Sequence, residues 1–203
     1  MLSSVDDVAL GFRTHLGWAA AVAVAGSPGR PRVLERCRLE LVDRDVPESH
    51  EPYHAGEALA PGAAAPVVKR GADAVRSVAR RTVRDLVRRL DRDGQRVVAV
   101  GLLMGAGRPL PALDKILASH AWVHTAEGEL MRNSLAEASE RCGLPVTGLR
   151  EKQAWTAAAQ ALRTSETELR ERADALRGEL GSPWRQDQKL AALAGWVALR
   201  ARR

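Results

Sequence analysis

Cysteine, lysine and long apolar runs are all scarce in this chain of 203 residues. The two cysteines, Cys37 and Cys142, lie far apart and form no CxxC pair, which argues against a disulfide framework or a thiolate zinc site. We expect two buried, reduced thiols. No apolar run approaches the roughly 18 residues that cross a membrane, and the N-terminus lacks the residue order of a signal peptide. We therefore expect a cytoplasmic location and no membrane partner.

The formal net charge is +6, and arginine carries most of the positive charge because only four residues are lysines. A basic balance can indicate affinity for a polyanion such as nucleic acid. It can equally reflect a genome whose codons favour arginine and alanine. The apolar fraction of 45% excludes a disordered chain, and this length suffices for one substantial core.

The first 43 residues predict a β-hairpin. Residues 10–26 are apolar and rich in small side chains, residues 32–42 alternate in polarity, and a cluster of turn formers lies between them. Trp18 is expected on the face opposite Arg13 and His15. Residues 43–70 contain four prolines and predict a connecting segment with one short helix near residues 55–60.

The rest of the chain alternates between helical and strand patterns. Apolar spacings of three and four predict a helix over 71–92, and a continuous apolar run predicts a strand over 96–104 that is buried on both faces. The remaining predicted elements are helices over 111–118 and 125–142, a strand over 144–147, and helices over 151–162, 166–180 and 186–201. We thus predict one α/β domain over 1–203, with an α/β core at 71–150 and a helical part at 151–203. Its mixed sheet starts with an antiparallel hairpin, continues in parallel and is covered by helices.

A polar segment at residues 119–129 concentrates two histidines and two acids between a predicted strand and a predicted helix. His120, His124 and Glu127 recur at i, i+4 and i+7, so a continuous helix would place them on one face. Imidazole and carboxylate at this spacing can bind zinc or another transition metal with an open position for water. Alternatively, these side chains satisfy the exposed amides of a helix start.

Two further segments carry candidate binding residues. Arg13 and His15 share one face of the first strand, a pairing that suits phosphate or carboxylate, with Gly11 and Gly17 allowing a ligand or another backbone to come close. Ordinary polar residues on an edge strand are the alternative. Residues 183–189 supply a stacking surface, two cations and an acid at the start of the last helix: Trp184, Arg185, Lys189 and Asp187. An acid in this first turn also suits the helix dipole without any function.

The helix over 71–92 is rich in arginine and could follow a phosphate backbone. It also contains aspartates and has no aromatic residue for stacking bases, which favours a solvated helix face. The chain contains no Walker loop, no GxGxxG after a strand and no GxSxG elbow.

Three segments resemble the ribonuclease H-like superfamily, in particular its Holliday-junction resolvase branch. Residues 11–20, GFRTHLGWAA, resemble its first strand, and residues 187–194, DQKLAALA, resemble its last helix. Residues 127–146, which close with CGLPV, resemble its central passage from helix to strand. The resemblance implies a ribonuclease H-like sheet and a nuclease that acts on nucleic acid.

The resemblance also implies two magnesium ions held by carboxylates, one of them on the first strand, because oxygen-rich sites suit Mg²⁺. In this chain that first-strand position is Arg13, and the predicted strand 96–104 ends without an acid. Asp187 matches an implied ligand position.

We interpret the chain as a nucleic-acid-directed protein and divide its candidate residues by role. A divalent ion, Mg²⁺ or Mn²⁺, would be held by acids and histidines: Glu127, Glu129, Asp187, His120 and His124. Catalysis would fall to Glu127, Asp187 and His124, and substrate binding to Arg13, His15, Trp184, Arg185 and Lys189. The alternative is a non-catalytic member of the superfamily that binds nucleic acid or a protein partner.

Overall fold

A computed structural model describes residues 6–27, 29–177 and 181–202. Positions 1–5, 28, 178–180 and 203 of the predicted domain, including the end of the helix predicted over 166–180, lie outside the described residues. The strands are β1 Asp6–His15, β2 Trp18–Ser27, β3 Arg30–Glu40, β4 Gln95–Met104 and β5 Val146–Arg150. The helices are α1 Pro52–Glu57, α2 Pro61–Arg92, α3 Leu113–Leu117, α4 His120–Arg141, α5 Ala154–Leu162, α6 Glu166–Ala175 and α7 Gln186–Ala201, with 3₁₀ turns at Pro47–Ser49 and Glu151–Gln153.

The five strands form one mixed sheet in the order β3-β2-β1-β4-β5. Strands β1, β2 and β3 pair antiparallel, whereas β4 pairs parallel with β1 and with β5. The predicted antiparallel start and parallel continuation are therefore confirmed. Because β1, β4 and β5 run in the same direction, their carboxyl ends meet at one edge of the sheet.

Helices cover both faces of this sheet. On one face α2 and α4 pack on side chains such as Leu10 and Leu102, and on the other α5, α6 and α7 pack on side chains such as Val22 and Leu103. The strand predicted over 96–104 is β4, in which residues 99–103 are buried and both ends are not. None of the described helices combines the length and the apolar character that a membrane span needs.

The segment predicted as one hairpin contains three strands. The chain reverses at Leu16 and Gly17, with His15 opposite Trp18 and a φ of 75° at Gly17. The sequence predicts a single strand here because β1 and β2, of 10 residues each, are both rich in apolar and small residues and are separated only by Leu16 and Gly17. The prediction that Trp18 lies on the opposite face from His15 is therefore wrong. The two residues share a face, and their rings are stacked with centroids 4.2 Å apart.

The second helix begins at Pro61, ten residues before its predicted start. Pro61 and Pro66 predict a connecting segment because proline is disfavoured inside helices, yet Pro66 does lie inside this helix. Burial compensates for the hydrogen bond that proline cannot donate, because Ala64, Val68 and Ala72 continue the buried stripe at i, i+4 and i+8. The short helix predicted near 55–60 is α1, which begins at Pro52.

Helix α7 packs so closely on the sheet that its backbone contacts the backbone of two strands, in each case at a glycine residue. A Cβ atom on Gly11 of β1 would lie 2.7 Å from the amide nitrogen of Gly195 and would overlap the carbonyl of Ala191. A Cβ atom on Gly101 of β4 would overlap the carbonyl of Ala194. At Gly11 the close approach is therefore that of another backbone segment. This packing fixes the first turn of α7 beside the end of β1.

Both cysteines are free and half-buried. Burial, with Glu35 nearby, raises the pKa of the Cys37 thiol to about 11. Burial also raises the pKa of Cys142. Both side chains are therefore neutral thiols at physiological pH.

Candidate functional site

Four charged or titratable side chains meet at the carboxyl end of β1, and we call them the strand-end network: Arg13, His15, Glu151 and Asp187. The Arg13 guanidinium donates to Glu151 Oε1 from Nε at 3.1 Å and from Nη2 at 2.7 Å, and it also donates to Asp187 Oδ1. His15 Nε2 lies 3.0 Å from the same Asp187 oxygen. The Arg13 side chain is only 17% exposed, so these bonds are partly shielded from water.

Three elements bring the network together. Arg13 and His15 share a face of β1 because side chains alternate along a strand. Glu151 follows directly after β5, in the 3₁₀ turn, and Asp187 lies in the first turn of α7. The sheet order places the ends of β1 and β5 at the same edge, and the packing of α7 on β1 and β4 brings Asp187 there.

The local environment favours a neutral imidazole at His15. Burial lowers its pKa most, the positive charge of Arg13 lowers it further, and Glu151 opposes both effects. The His15 ring also stacks on the Trp18 ring. The guanidinium carbon of Arg38 lies 4.1 Å from the centroid of the Trp18 ring. His15 is thus fixed in orientation and able to donate or accept one hydrogen bond.

The residues at this edge do not fit the two magnesium ions that the sequence resemblance implies. A guanidinium stands on β1 where a carboxylate ligand is needed, and it is bonded to both neighbouring acids, Asp187 and Glu151. Strand β4 ends at Met104 without an acid. A cation among the carboxylates repels a second cation and occupies the oxygens that would bind it.

Glu129, predicted as a metal ligand, lies near the end of β4 and is likewise paired with an arginine. Its Oε1 accepts a hydrogen bond from Arg132 at 2.9 Å, with the two side chains 13% and 16% exposed. A Cβ atom on Gly105, just after β4, would lie 2.6 Å from both of them. Glu129 and Asp187 are therefore each neutralised by a separate arginine.

Glu127, also predicted as a ligand, is 2% exposed and supports helix α1. Its Oε1 accepts from the backbone amides of Tyr53 at 2.7 Å and His54 at 3.2 Å, while Oε2 is buried without a hydrogen-bond partner. Burial raises the pKa of this carboxyl, and the bonds from the two amides and from His54 oppose the increase.

His120 and His124 form a cluster with a third histidine that sequence reasoning missed. Helix α4 begins at His120, a turn earlier than the predicted start at 125, so both side chains project from its first turns. His54 of α1 completes the group. Across the described ranges, this three-histidine cluster is the only set of three or more His, Cys, Asp or Glu side chains whose ligand atoms all lie within 4.8 Å of one another. Nothing in the sequence links His54 to positions 66 and 70 residues away.

The predicted segments 119–132 and 183–189 lie on either side of the end of β1. A cavity of about 170 Å³ is lined by His15, His124, Glu127 and Arg132, among others. His15 also bonds Asp187, so it connects the two segments. The five predicted ligands do not converge on one point.

The three predicted binding residues near the start of α7 have different surroundings. Trp184 donates its indole N–H to the carbonyl of Ala173 at 3.0 Å and packs with the helices behind the sheet, which limits its use in stacking. Lys189 pairs with Asp174 at 2.6 Å. Arg185 precedes α7 and is exposed.

A cleft of about 710 Å³ opens at the carboxyl ends of β4 and β5, and we call it the strand-end cleft. Glu151 lies in its wall, so the cleft adjoins the strand-end network. Its remaining lining mixes basic, aromatic, apolar and small polar residues: Met104, Gly105, Ala106, Arg150, Lys152, Gln153, Trp155, Arg170, Gln186 and Leu190. Sequence reasoning missed this cleft, although ligands of open α/β sheets gather at this edge.

The sheet order, the helix layers and the edge that carries the site define a ribonuclease H-like fold, as the sequence resemblance predicts. The solved structures that the chain matches include RuvC of Thermus thermophilus, with a TM-score of 0.51, 14% identity, and coverage of 96% of this chain and 95% of that one. A second is T. thermophilus RuvC in complex with a Holliday junction substrate, with a TM-score of 0.54, 12% identity, and coverage of 96% and 94%. No protein-family profile and no curated protein sequence matches the chain. At these identities the similarity establishes the fold.

Proposed function

We propose that this protein binds nucleic acid at the strand-end cleft and does not cleave it by a two-metal mechanism. The proposal rests on the hydrogen bonds that Arg13 donates to both Asp187 and Glu151. Arg13 stands at the position where a metal-binding carboxylate is expected. Among the candidate interpretations, this arrangement favours the non-catalytic member of the superfamily.

The chemistry of the cleft supports a nucleic acid as the ligand. Arg150 and Lys152 are exposed, and within the described part of the chain neither forms an ion pair, so both can contact phosphate. The guanidinium carbon of Arg170 lies over the Trp155 ring, 4.4 Å from its centroid, so the outer face of this guanidinium, which also pairs with Glu166, offers a plane on which a base can stack. One matched RuvC structure holds a Holliday junction, which makes branched DNA the first ligand to test.

The test compares binding of the protein to a four-way junction, a duplex and a single strand across a salt series. We expect Arg150→Glu/Lys152→Glu to weaken binding at least about tenfold and to flatten the slope of log K against log salt by about 2, because each lost phosphate contact removes about 0.9. Arg81→Glu/Arg88→Glu, on the exposed face of α2, changes the net charge equally and serves as the control.

Equal losses of affinity in the two double variants would contradict binding localised at the strand-end cleft and would favour general attraction to the basic surface. A loss confined to the α2 variant would move the interface to that helix. We expect binding to persist in EDTA, because no step at the strand-end network requires a divalent ion.

The second candidate function is a divergent metal-dependent nuclease. It is favoured by the cavity that His15, His124 and Glu127 share beside the end of β1. In that case Glu127, Asp187 and His124 would be the catalytic groups, Mg²⁺ or Mn²⁺ the cofactor, and Arg13 would bind a phosphate oxygen. Cleavage of junction, single-stranded or RNA–DNA substrates that is lost in Asp187→Asn and Glu127→Gln would establish this function over the first.

A further inference from the structure

We propose that His54, His120 and His124 form a binding site for one transition-metal ion, most suitably Zn²⁺. The Nε2 atoms of His120 and His124 are 3.0 Å apart, and one ring nitrogen from each of the three residues lies within 4.8 Å of the other two. Zinc binds imidazole nitrogen at about 2.0–2.1 Å, so only small side-chain rotations are needed to place an ion between these nitrogens. The site shares no residue with the strand-end network, although His124 and His15 line the same small cavity.

Carboxylates behind the cluster face Nδ1 of two of the rings, which favours the tautomer that a metal needs. His120 Nδ1 lies 3.2 Å from Glu57 Oε1, and His54 Nδ1 lies 3.4 Å from Glu127 Oε1. A proton on each Nδ1 leaves the Nε2 lone pair free, which is the usual arrangement of a histidine ligand that donates to a carboxylate. With His120 Nε2 as an acceptor, either His124 Nε2 donates a proton across the 3.0 Å separation, or both nitrogens face a cation that lies to one side of the line joining them.

The backbone positions the ligands before any ion arrives. His120 and His124 are one turn apart on α4, so their side chains share a face. Glu127, one turn further along α4, accepts hydrogen bonds from the backbone amides of Tyr53 and His54 and so fixes the first turn of α1 against α4. Its buried carboxylate therefore sets both the place and the ring orientation of His54.

The ligand type and the exposure of the cluster define the class of ion and its chemistry. Three neutral imidazoles suit zinc, copper, nickel or cobalt and are poor ligands for Mg²⁺. His120 is 65% exposed, so an ion can enter from solvent. Three protein ligands leave the fourth tetrahedral position open for water, as in zinc sites where substrate or hydroxide binds.

The test uses the untagged full-length chain freed of metal, titrated with Co²⁺ and with Zn²⁺. We expect one ion per chain, visible absorption bands of tetrahedral Co²⁺ that Zn²⁺ abolishes, and a higher Tm with Zn²⁺. His54→Ala and His120→Ala should each lose the bands and the Tm increase. His50→Ala removes an exposed histidine outside the cluster and should behave like the wild type.

Glu57→Gln separates an orienting role from a general effect on folding. Glutamine keeps the size of the side chain but weakens the hydrogen bond to His120 Nδ1, and we expect Kd for Zn²⁺ to rise roughly 10–100-fold with the same Co²⁺ band shape. The proposal is overturned if the wild type shows no Co²⁺ bands, or if the bands persist unchanged in both His54→Ala and His120→Ala.

Discussion

Gly101→Ala is expected to prevent the native packing of α7 and to cost about 3 kcal/mol or more of unfolding free energy. The added methyl group would overlap the Ala194 carbonyl and lie 2.8 Å from the Gly195 amide nitrogen, and both are helix backbone that cannot rotate away. The helix would have to move off the sheet, which would separate the apolar side chains that α7 buries against residues such as Val22 and Leu103. In thermal unfolding we expect Tm to fall by about 6–12 °C, or the chain not to fold.

The matched control is Gly62→Ala in the first turn of α2, where a Cβ atom would meet nothing within 4 Å. This substitution should leave stability unchanged or raise it by up to about 1 kcal/mol, because alanine loses less backbone entropy in a helix. A Gly101→Ala protein as stable as the Gly62→Ala protein would show that α7 does not contact β4 as closely as described.

Arg13→Asp is expected to convert the strand-end network into a divalent-cation site. Without an ion, the new carboxylate faces Asp187 and Glu151 and lacks a partner, which should cost about 2 kcal/mol after allowance for the partial exposure of the three groups. Mg²⁺ should reverse this loss of stability, since an ion present at about 100 times its Kd adds about 2.7 kcal/mol to the free energy of unfolding. Urea unfolding with and without Mg²⁺ measures both effects.

Arg13→Asn is the matched control, because it removes the same guanidinium and has nearly the shape of aspartate but adds no charge. We expect Mg²⁺ to stabilise the aspartate variant well above the asparagine variant and to leave the wild type unchanged. The three-histidine cluster does not interfere, since imidazole is a poor Mg²⁺ ligand. Equal stabilisation of wild type and Arg13→Asp by Mg²⁺ would show that Arg13 does not occupy the cation position.

The elements predicted well from the sequence are those whose burial pattern is strong. Strand β4 is a continuous apolar run, α4 shows a regular buried stripe, and α7 is buried on all sides from Leu190 to Leu199. The predictions failed at two places where the conformation or burial of particular residues outweighed the pattern of residue types in the sequence. The turn at Gly17 depends on a single positive φ, and the start of α2 depends on the burial of alanines in a segment rich in proline.

The site shows the same division between local and tertiary information. Arg13 and His15 are candidates from the sequence because they share one face of a predicted strand, and Asp187 is a candidate because it matches a ligand position that the resemblance implies. Glu151 and His54 are not predicted, because their partners lie 138 residues away in one case and 66 and 70 in the other. Only the sheet order and the docking of α1 on α4 bring these pairs together.

Anomalous scattering from a crystal grown with Mn²⁺ would show whether the Arg13 guanidinium takes the place of a metal ion at the end of β1. We predict no peak beside Asp187 and Glu151, with the Arg13 guanidinium bonded to both carboxylates; a peak at the three-histidine cluster would be a separate site. A peak that bridges Asp187 and Glu151, with Arg13 turned away into solvent, would contradict the account and make a metal-dependent nuclease the better description.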